Sequence, residues 1–502
     1  MSSYVKKCSE CSSINLMINK DKGEVICRDC GLVIEERMID FGQEWSEFDS
    51  EQSEKRRRTG APMTYSVDAS EPIIIKQNNT IEIVKIGDFV DTLLHDQREF
   101  VKKADTVEFL PLRDKLEAVS FDKENSIAFR SISEVSRHPA KEVYEIILES
   151  GKRVKVTGNH SVFTIKDKEV RPLKVSEIKE KDFVVAPLKL PFPEQEIELD
   201  ILQEFINIAD TNDFYKNIYL RNLSDLTIFQ KLKEQTKNYK DFNKKIKNWK
   251  RHKTIPLWVL KKLRTVFDVT TFDLTGAKIG TYSGRNTLPL NLTLTPEMAR
   301  ILGFYASEGD SNKHTVRFSF GDHETDYIKE VESFIKETFG FVVGKYQKVS
   351  AIQLEVRSKL LSILFSDILG TGHNAHDKRV PSKLYQSNEE TKKAFLKSYV
   401  DGDGSYTERY NTARPDIAIS TTSVNQALSN DVLAMYSSLG IHAHYGDELV
   451  PAHIISKTGQ LLPESFSTKT IIKNPDTAKR LGYLKSTTKP KGKPSIETLF
   501  PA

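Results

Sequence analysis

The stretch LTPEMARILGFYASEGD, Leu294 to Asp310, decides the fold of the larger part of this chain. Thr295 followed by Pro296 has the form of a helix start. The hydroxyl caps free N–H groups, and the proline ring sits at the first helical position, where no amide hydrogen is needed. The helix runs through Ile301-Leu302-Gly303 and ends on Glu308-Gly309. A second stretch, TKKAFLKSYVDGDGSY from Thr391 to Tyr406, ends in the same way on Asp403-Gly404. Gly303 and Ser398 occupy matching places, five before each acid. Small residues there let two helix backbones approach closely, which brings the carboxylates of Glu308 and Asp403 together. Two carboxylates sharing a site repel unless a cation lies between them, and hard oxygen ligands favour Mg2+. Such a centre can activate water and stabilise the charge on a phosphodiester in transition. One such helix alone would be a packed amphipathic element with a glycine cap; the repetition carries the reading.

The two copies resemble the LAGLIDADG homing endonucleases, nucleases commonly nested within inteins. Along the second helix Lys397 and Ser398 stand where the family has an Ala-Gly pair. Between the acids, DKRVPSKL resembles the family block whose lysine lies near the cleavage centre, which maps onto Lys378; a surface lysine is the competing reading. After the second acid, STTSVNQALSNDVLAMYSSLGIHAHY shows helical periodicity closed by Gly440 and then resumes as strand. The resemblance implies helices alternating with saddle-forming strands that lay a curved sheet over duplex DNA.

Charge is unevenly spread. Lys231 to Arg264 holds 13 Lys and Arg against 2 acids, in a chain whose net charge is only +4, so the remainder is net acidic. One basic island on an acidic protein suggests a local polyanion contact. Tyr239, Phe242, Trp249 and Trp258 lie among these charges, and TIPLWVLKKLR reads as a capped helix with Pro256 near its start. A charge run is ordinarily a solvated face; beside an endonuclease, phosphate contact by Lys244, Lys245, Lys247, Lys250, Arg251 and Lys253 is the better reading.

Upstream the chain is β-rich. Ile81 to Val90 and Val175 to Val184 echo one another, and both read as strand–turn–strand. Further short strands are expected at Val143–Leu148 and Arg153–Val156. In GKRVKVTGNHSVFTI, Gly151 to Ile165, Thr157 and His160 stand three apart just beyond a strand. This segment resembles the TxxH block of the Hint fold of inteins and hedgehog autoprocessing domains. SVDASEPIIIK, from Ser66, resembles the first intein block. The resemblance implies an N–O acyl shift. Ser66 Oγ attacks the Tyr65 carbonyl, His160 protonates the leaving nitrogen and Thr157 orients it. Ser66 replaces the more frequent cysteine, so the intermediate is an ester and slower cleavage is expected.

All four cysteines lie within the first thirty residues, as Cys8-Ser9-Glu10-Cys11 and Cys27-Arg28-Asp29-Cys30. A hairpin between Ile14 and Val25 would bring the two knuckles together around a closed tetrahedral Zn2+ site. The metal would supply most of the folding energy of so short a module. CRDCGLVIEERMIDFGQEWSEF followed by RRRTGAPMTYS closely resembles the zinc ribbon and linker of archaeal general transcription initiation factor B, departing at Gln43 and Ser46. That resemblance implies a ribbon that docks on RNA polymerase, then two cyclin-like repeats that bind promoter DNA and the TATA-binding protein. Those repeats do not begin after Tyr65; at Ser66 the chain changes character with no spacer.

The expected organisation is therefore multidomain: a small all-β zinc ribbon and linker (1–65), an all-β Hint domain (66–190), a basic accessory DNA-recognition region (191–290), an α+β LAGLIDADG endonuclease with two pseudo-symmetric halves (291–485), and a basic, Pro-containing tail (486–502). The final intein block, ending His-Asn before a nucleophile, is not found; His373-Asn374 is followed by Ala375. The chain is expected to be truncated or to need a separate C-terminal intein half. Expected ligands and partners are Zn2+, Mg2+, double-stranded DNA and RNA polymerase. No run of about 18 apolar residues is present, so a cytoplasmic location with no membrane contact is expected. The competing readings are a non-splicing zinc-ribbon DNA-binding protein and a decayed intein without nuclease activity.

Overall fold

A computed structural model describes residues 10–11, 16–19, 24–27, 29–30, 33–35 and 66–481, the last span with short breaks at 105, 113–114, 122–125, 141, 167–168, 210–212, 237–239, 410–415, 452, 455–460, 463–464, 474–476 and 478–479. The chain divides into two compact units, Met1–Met63 and Thr64–Ala502.

In the first unit, Leu16–Asn19, Glu24–Cys27 and Val33–Glu35 form a three-stranded antiparallel sheet in sequence order. The hairpin register sets Leu16 opposite Cys27, so the turnback expected between the knuckles carries the third cysteine on its return strand.

The second unit opens with a four-stranded antiparallel sheet in the order Thr80–Lys85, Pro72–Gln77, Leu116–Phe121, Ile127–Ser131. Asn78 and Asn79 close the first hairpin with φ of 47° and 63°. This is a two-residue turn with both central residues left-handed, where asparagine is tolerated best after glycine. Hairpins Tyr144–Ile147/Arg153–Val156 and Ser161–Lys166/Glu169–Lys174 follow.

The echoed segments do not share a structure. Ile86–Asp96 is a helix rather than a turn and strand, and Val175–Glu177 is a 3-10 turn. Beyond the strand Thr80–Lys85 the apolar residues Ile86, Phe89, Val90, Leu93 and Leu94 recur at helical spacing. Val90 and Leu94 bury against Leu110 and Val135, with Ile86, Phe89 and Leu93 packed alongside.

Residues 198–293 surround a second four-stranded sheet ordered Ile255–Pro256, Ile218–Arg221, Lys278–Thr281, Thr287–Leu288. Helices Thr227–Gln235, Lys240–His252 and Leu257–Leu263 lie around it. Pro256 is itself the cap position of the last of these.

The remaining part is built twice. The helix Pro296–Glu308 runs directly into a sheet ordered Gly309–Asn312, Thr315–Gly321, Ala351–Arg357, Gly344–Gln347. The helix Glu389–Asp403 runs directly into one ordered Gly404–Arg409, Asp416–Ser423, Ser465–Ile472, His444–Val450. In chain order both are 1-2-4-3, and each places a helix after its second strand, Thr325–Phe339 and Gln426–Ser438. Along Thr315–Gly321 the residues Val316, Phe318 and Phe320 are fully buried while their neighbours are partly exposed, so one face packs and the other stays open.

One hydrophobic core runs through the second unit, from Ile81 and Ile83 of the first hairpin to Leu481. Across it Phe129 stacks on Phe192 at 6.3 Å between ring centres, and Phe192 meets Tyr385 edge-on at 5.5 Å. Among the described residues no helix is long and apolar enough to cross a membrane.

Candidate functional site

The helices Pro296–Glu308 and Glu389–Asp403 pack backbone to backbone. A Cβ at Gly303 would collide with Ser398 Oγ and the Phe395 carbonyl and come within 3.0 Å of Tyr399 N. At the start of the first helix Thr295 is the cap, accepting from Met298 N at 3.3 Å, with Pro296 at the first helical position. A second close pair lies nearer the acids: a Cβ at Gly402 would collide with Ser307 Oγ and sit 3.1 Å from Glu308 Cγ. Ser307 and Gly402 each stand one before an acid, a coincidence of small residues that sequence reasoning missed although setting the two stretches side by side displays it.

This packing leaves Glu308 and Asp403 as the last residues of adjoining helices, Glu308 half-buried and Asp403 exposed. Burial, then the neighbouring charges of Asp403 and Glu324, push the Glu308 carboxyl up to about 7. Partial desolvation by the surrounding protein pushes Asp403 up to about 6, with Lys378 opposing. Lys378 is 4% exposed, which excludes the surface-lysine reading. Its ammonium donates to the Ser307 carbonyl at 2.9 Å, and lies 5.9 Å from the Tyr305 ring centre. Burial lowers its pKa, while Asp403 and Glu308 act in the opposite sense. A pair of desolvated, mutually repelling carboxylates is a donor set that fits a hard divalent cation.

At the other site Ser66 meets Thr157. Ser66 N, the nitrogen of the Tyr65–Ser66 bond, donates to Thr157 Oγ1 at 3.1 Å, and Thr157 N donates to the Ser66 carbonyl at 2.9 Å. Strand Arg153–Val156 brings them together through the Val67–Val156 bridge. His160 follows on the same turn, its N–H donating to the Thr157 carbonyl at 2.9 Å. Its buried Nδ1 meets no hydrogen-bond partner among the described residues, and burial lowers its pKa, so the ring is neutral at pH 7. Thr157 rather than His160 is the side chain that meets the amide nitrogen. Tyr65 lies outside the described residues.

In the first unit the Sγ atoms of Cys11, Cys27 and Cys30 all lie within 4.8 Å of one another, with Cys11 and Cys27 at 3.4 Å. Thiolates about 2.3 Å from a shared tetrahedral ion stand about 3.8 Å apart, so the cluster fits zinc. Cys8 lies outside the described residues.

The basic helix Lys240–His252 buries Ile246 and Trp249 and exposes Lys244, Lys245, Lys247, Lys250 and Arg251, with Lys253 exposed just beyond. Trp249 is a core residue and Trp258 packs against that core, so neither is free to stack on a base; Tyr239 and the side chain of Phe242 lie outside the described residues. The aromatic that does face solvent is Tyr282, 45% exposed, with His252 5.8 Å and Tyr219 5.4 Å from its ring. It lies outside the basic run, and only the pairing of Ile218–Arg221 with Lys278–Thr281 brings that strand's end near the helix.

A family model described as the intein splicing domain matches residues 74–407, about two thirds of the chain. The chain belongs to the intein family. A model described as TFIIB zinc-binding matches residues 6–48, and one described as LAGLIDADG-like matches residues 390–447. The protein is thus a chain of the transcription factor IIB type, interrupted by an intein that carries a LAGLIDADG region. A transcription initiation factor IIB of Methanocaldococcus jannaschii is 38% identical over 51% of this chain and 41% of its own length. A DNA polymerase of Thermococcus hydrothermalis is 25% identical over 74% of this chain and 25% of its own. The chain thus spans about two fifths and one quarter of the lengths of these relatives. Among solved structures, the transcription factor IIB Mvu mini-intein is 43% identical, covering 26% of this chain and 72% of its own with a TM-score of 0.24. Mesophilic variants of the homing endonuclease I-DmoI are 14% identical, covering 38% and 93%, with a TM-score of 0.26.

Proposed function

We propose that the intein carries two chemistries: a metal-dependent double-strand cut in DNA, centred on Glu308 and Asp403, and an N–O acyl shift at the Tyr65–Ser66 bond. The observation that carries the first is the pair of acids, both with raised pKa, at the ends of two helices packed backbone to backbone. Glu308 and Asp403 would hold Mg2+, which supplies an activated water and a Lewis acid for the phosphodiester. Lys378, fixed by the Ser307 carbonyl, offers a positive charge beside the acids for the phosphate in transition. The open sheet faces and the exposed cations of Lys240–His252 with Lys253 would bind the flanking phosphates of a duplex.

In the acyl shift Ser66 Oγ bonds to the Tyr65 carbonyl carbon, the C–N bond breaks, and one proton passes from the hydroxyl to the departing nitrogen. The hydrogen bond from Ser66 N to Thr157 Oγ1 supports a role for Thr157 in fixing that nitrogen. The unpaired, neutral Nδ1 of His160 suits a group that takes up and returns the proton. In the ribbon, Cys8, Cys11, Cys27 and Cys30 would hold a structural Zn2+, leaving its outer face for RNA polymerase. The partition into residues 66–190, 191–290 and 291–485 follows the same division of labour.

The test uses a supercoiled plasmid carrying the factor's coding sequence joined without the insertion. Mg2+-dependent linearisation is expected, lost in Glu308→Ala and in Asp403→Ala. Linearisation that survives both substitutions, or that needs no divalent cation, would falsify the assignment.

A further inference from the structure

The residue after Lys378 belongs to neither chemistry as described, yet it is among the most tightly held side chains in the molecule. Arg379 Nε donates to Asp431 Oδ2 at 2.6 Å and its Nη2 to Asp431 Oδ1 at 2.8 Å, a bidentate pair. Asp431 is fully buried on the helix Gln426–Ser438, in the second half of the nuclease. The same Nη2 donates to the Ile83 carbonyl at 2.7 Å, across 296 residues, on the strand Thr80–Lys85 of the splicing domain.

The surrounding backbone is fixed just as fully. Val380 N donates to Asp431 Oδ2 at 3.1 Å, Asn425 Nδ2 to the Lys378 carbonyl at 2.7 Å, Lys378 N to the Asn374 carbonyl at 3.1 Å, and Arg379 N to the Thr371 carbonyl at 3.2 Å. From this segment the two consecutive side chains reach different partners: Lys378 goes to Ser307 beside the first acid, Arg379 to Asp431 and Ile83. An ammonium 4% exposed gains from water nothing that would hold it in place, so its position depends on the main chain that presents it. The ion pair on the next residue fixes that main chain, because parting it would leave the fully buried carboxylate of Asp431 without a counter-charge.

We propose that Arg379 is a positioning residue for DNA cleavage: its clamp on Asp431 and Ile83 holds Lys378 against the acid pair and makes the first hairpin of the splicing domain a structural part of the nuclease centre. The inference deepens the nuclease reading above and, for its kinetic arm, rests on it.

The intact chain is compared with Arg379→Lys, Arg379→Met and, as a control on the same hairpin, Lys383→Ala, whose ammonium donates to Thr80 Oγ1 at 3.3 Å. Lysine keeps the charge but cannot grip a carboxylate with two donors while reaching a carbonyl, and it carries the comparison if the methionine variant unfolds. The first readout needs no nuclease activity: competitive acetylation by acetic anhydride, with the rate at each lysine read by mass spectrometry. Labelling at Lys378 is expected to rise about tenfold in both Arg379 variants. It should stay fixed at Lys392, a fully buried lysine elsewhere, and in Lys383→Ala. The second readout is cleavage, where Arg379→Lys lowers kcat by about 10- to 100-fold, a typical result of misplacing one group by an ångström. KM for DNA stays within about twofold of wild type.

Unchanged labelling of Lys378 overturns the proposal, as does a rise shared by Lys392, which would mean general loosening. If the wild type cuts and Arg379→Lys cuts with the same kcat, the proposal also falls. If no form cuts DNA while Lys378 alone becomes reactive, the nuclease reading fails and the positioning of Lys378 by Arg379 stands.

Discussion

Replacing Gly303 by alanine sets two effects of known size against each other. Gly303 is interior to the helix Pro296–Glu308, where exchanging glycine for alanine should stabilise by about 1 kcal/mol. Its Cβ would meet Ser398 Oγ, which can rotate away, and the Phe395 carbonyl, which cannot; Tyr399 N stands 3.0 Å off. A clash with backbone forces the helices apart, and overpacking of that kind costs about 1–3 kcal/mol, here at the upper end because the obstacle is main chain. The net expectation is a loss of about 2 kcal/mol, or roughly 2 °C in the unfolding midpoint of a unit this size. Thermal unfolding followed by near-UV circular dichroism measures it. Adding Ser398→Ala should restore only part of the loss, since the Phe395 carbonyl remains. Mg2+-dependent cleavage should fall further than stability, because the acids ride on the displaced helices. A Gly303→Ala protein as stable as wild type or more so would show that helix propensity wins, and that the backbones do not meet as closely as the reasoning requires.

Three other outcomes are expected. Without metal, stability should fall as pH rises from about 4.5 through 7, because the folded protein keeps a proton on Glu308, pushed up to about 7, that the unfolded chain releases earlier. Glu308→Gln should remove about 2–3 kcal/mol of that slope, and Mg2+ should flatten it in the wild type; a slope indifferent to both would refute the assignment. Hydroxylamine-induced release of the ribbon should slow about 100-fold or more in His160→Ala and about tenfold in Thr157→Val, and be lost in Ser66→Ala, as read by gel. Equal rates in the three would dismiss the acyl shift. Neutralising Lys244, Lys247 and Lys250 together should lower the slope of log affinity against log salt by about 0.9 for each phosphate that is no longer neutralised; titrations that superimpose would mean that this face does not touch DNA.

What could be read in advance, and what could not, follows from the range of the interactions. Thr295, Pro296, Glu308 and Asp403 are local signals: caps and acids at fixed offsets within one helix, and the helix ends fell where they pointed. The pairing of Gly303 with Ser398 was legible because both helices repeat the same small position. Ile86–Asp96 was misread as turn and strand because a ten-residue window ended at Val90, before Leu93 and Leu94 completed the helical period. The aromatics of the basic run misled for another reason. Trp249 and Trp258 anchor their helices to the core, and no local pattern separates an anchoring indole from an exposed one. Arg379 was beyond reach altogether, since Ile83 and Asp431 lie 296 and 52 residues from it.

The core shared by the first hairpin and the LAGLIDADG region bears on any attempt to shorten the chain. Ile81, 0% exposed, and Ile83, 7% exposed, share one core with the later part of the unit, and the stack of Phe129 on Phe192 ends on Tyr385. Cutting out the nuclease at its ends would leave an edge strand carrying bare isoleucines, an invitation to self-association. A compact splicing element made from this sequence would need a new polar coat at Ile81, Ile83 and Phe129 before it stayed in solution. The inserted LAGLIDADG region has become part of its host's surface.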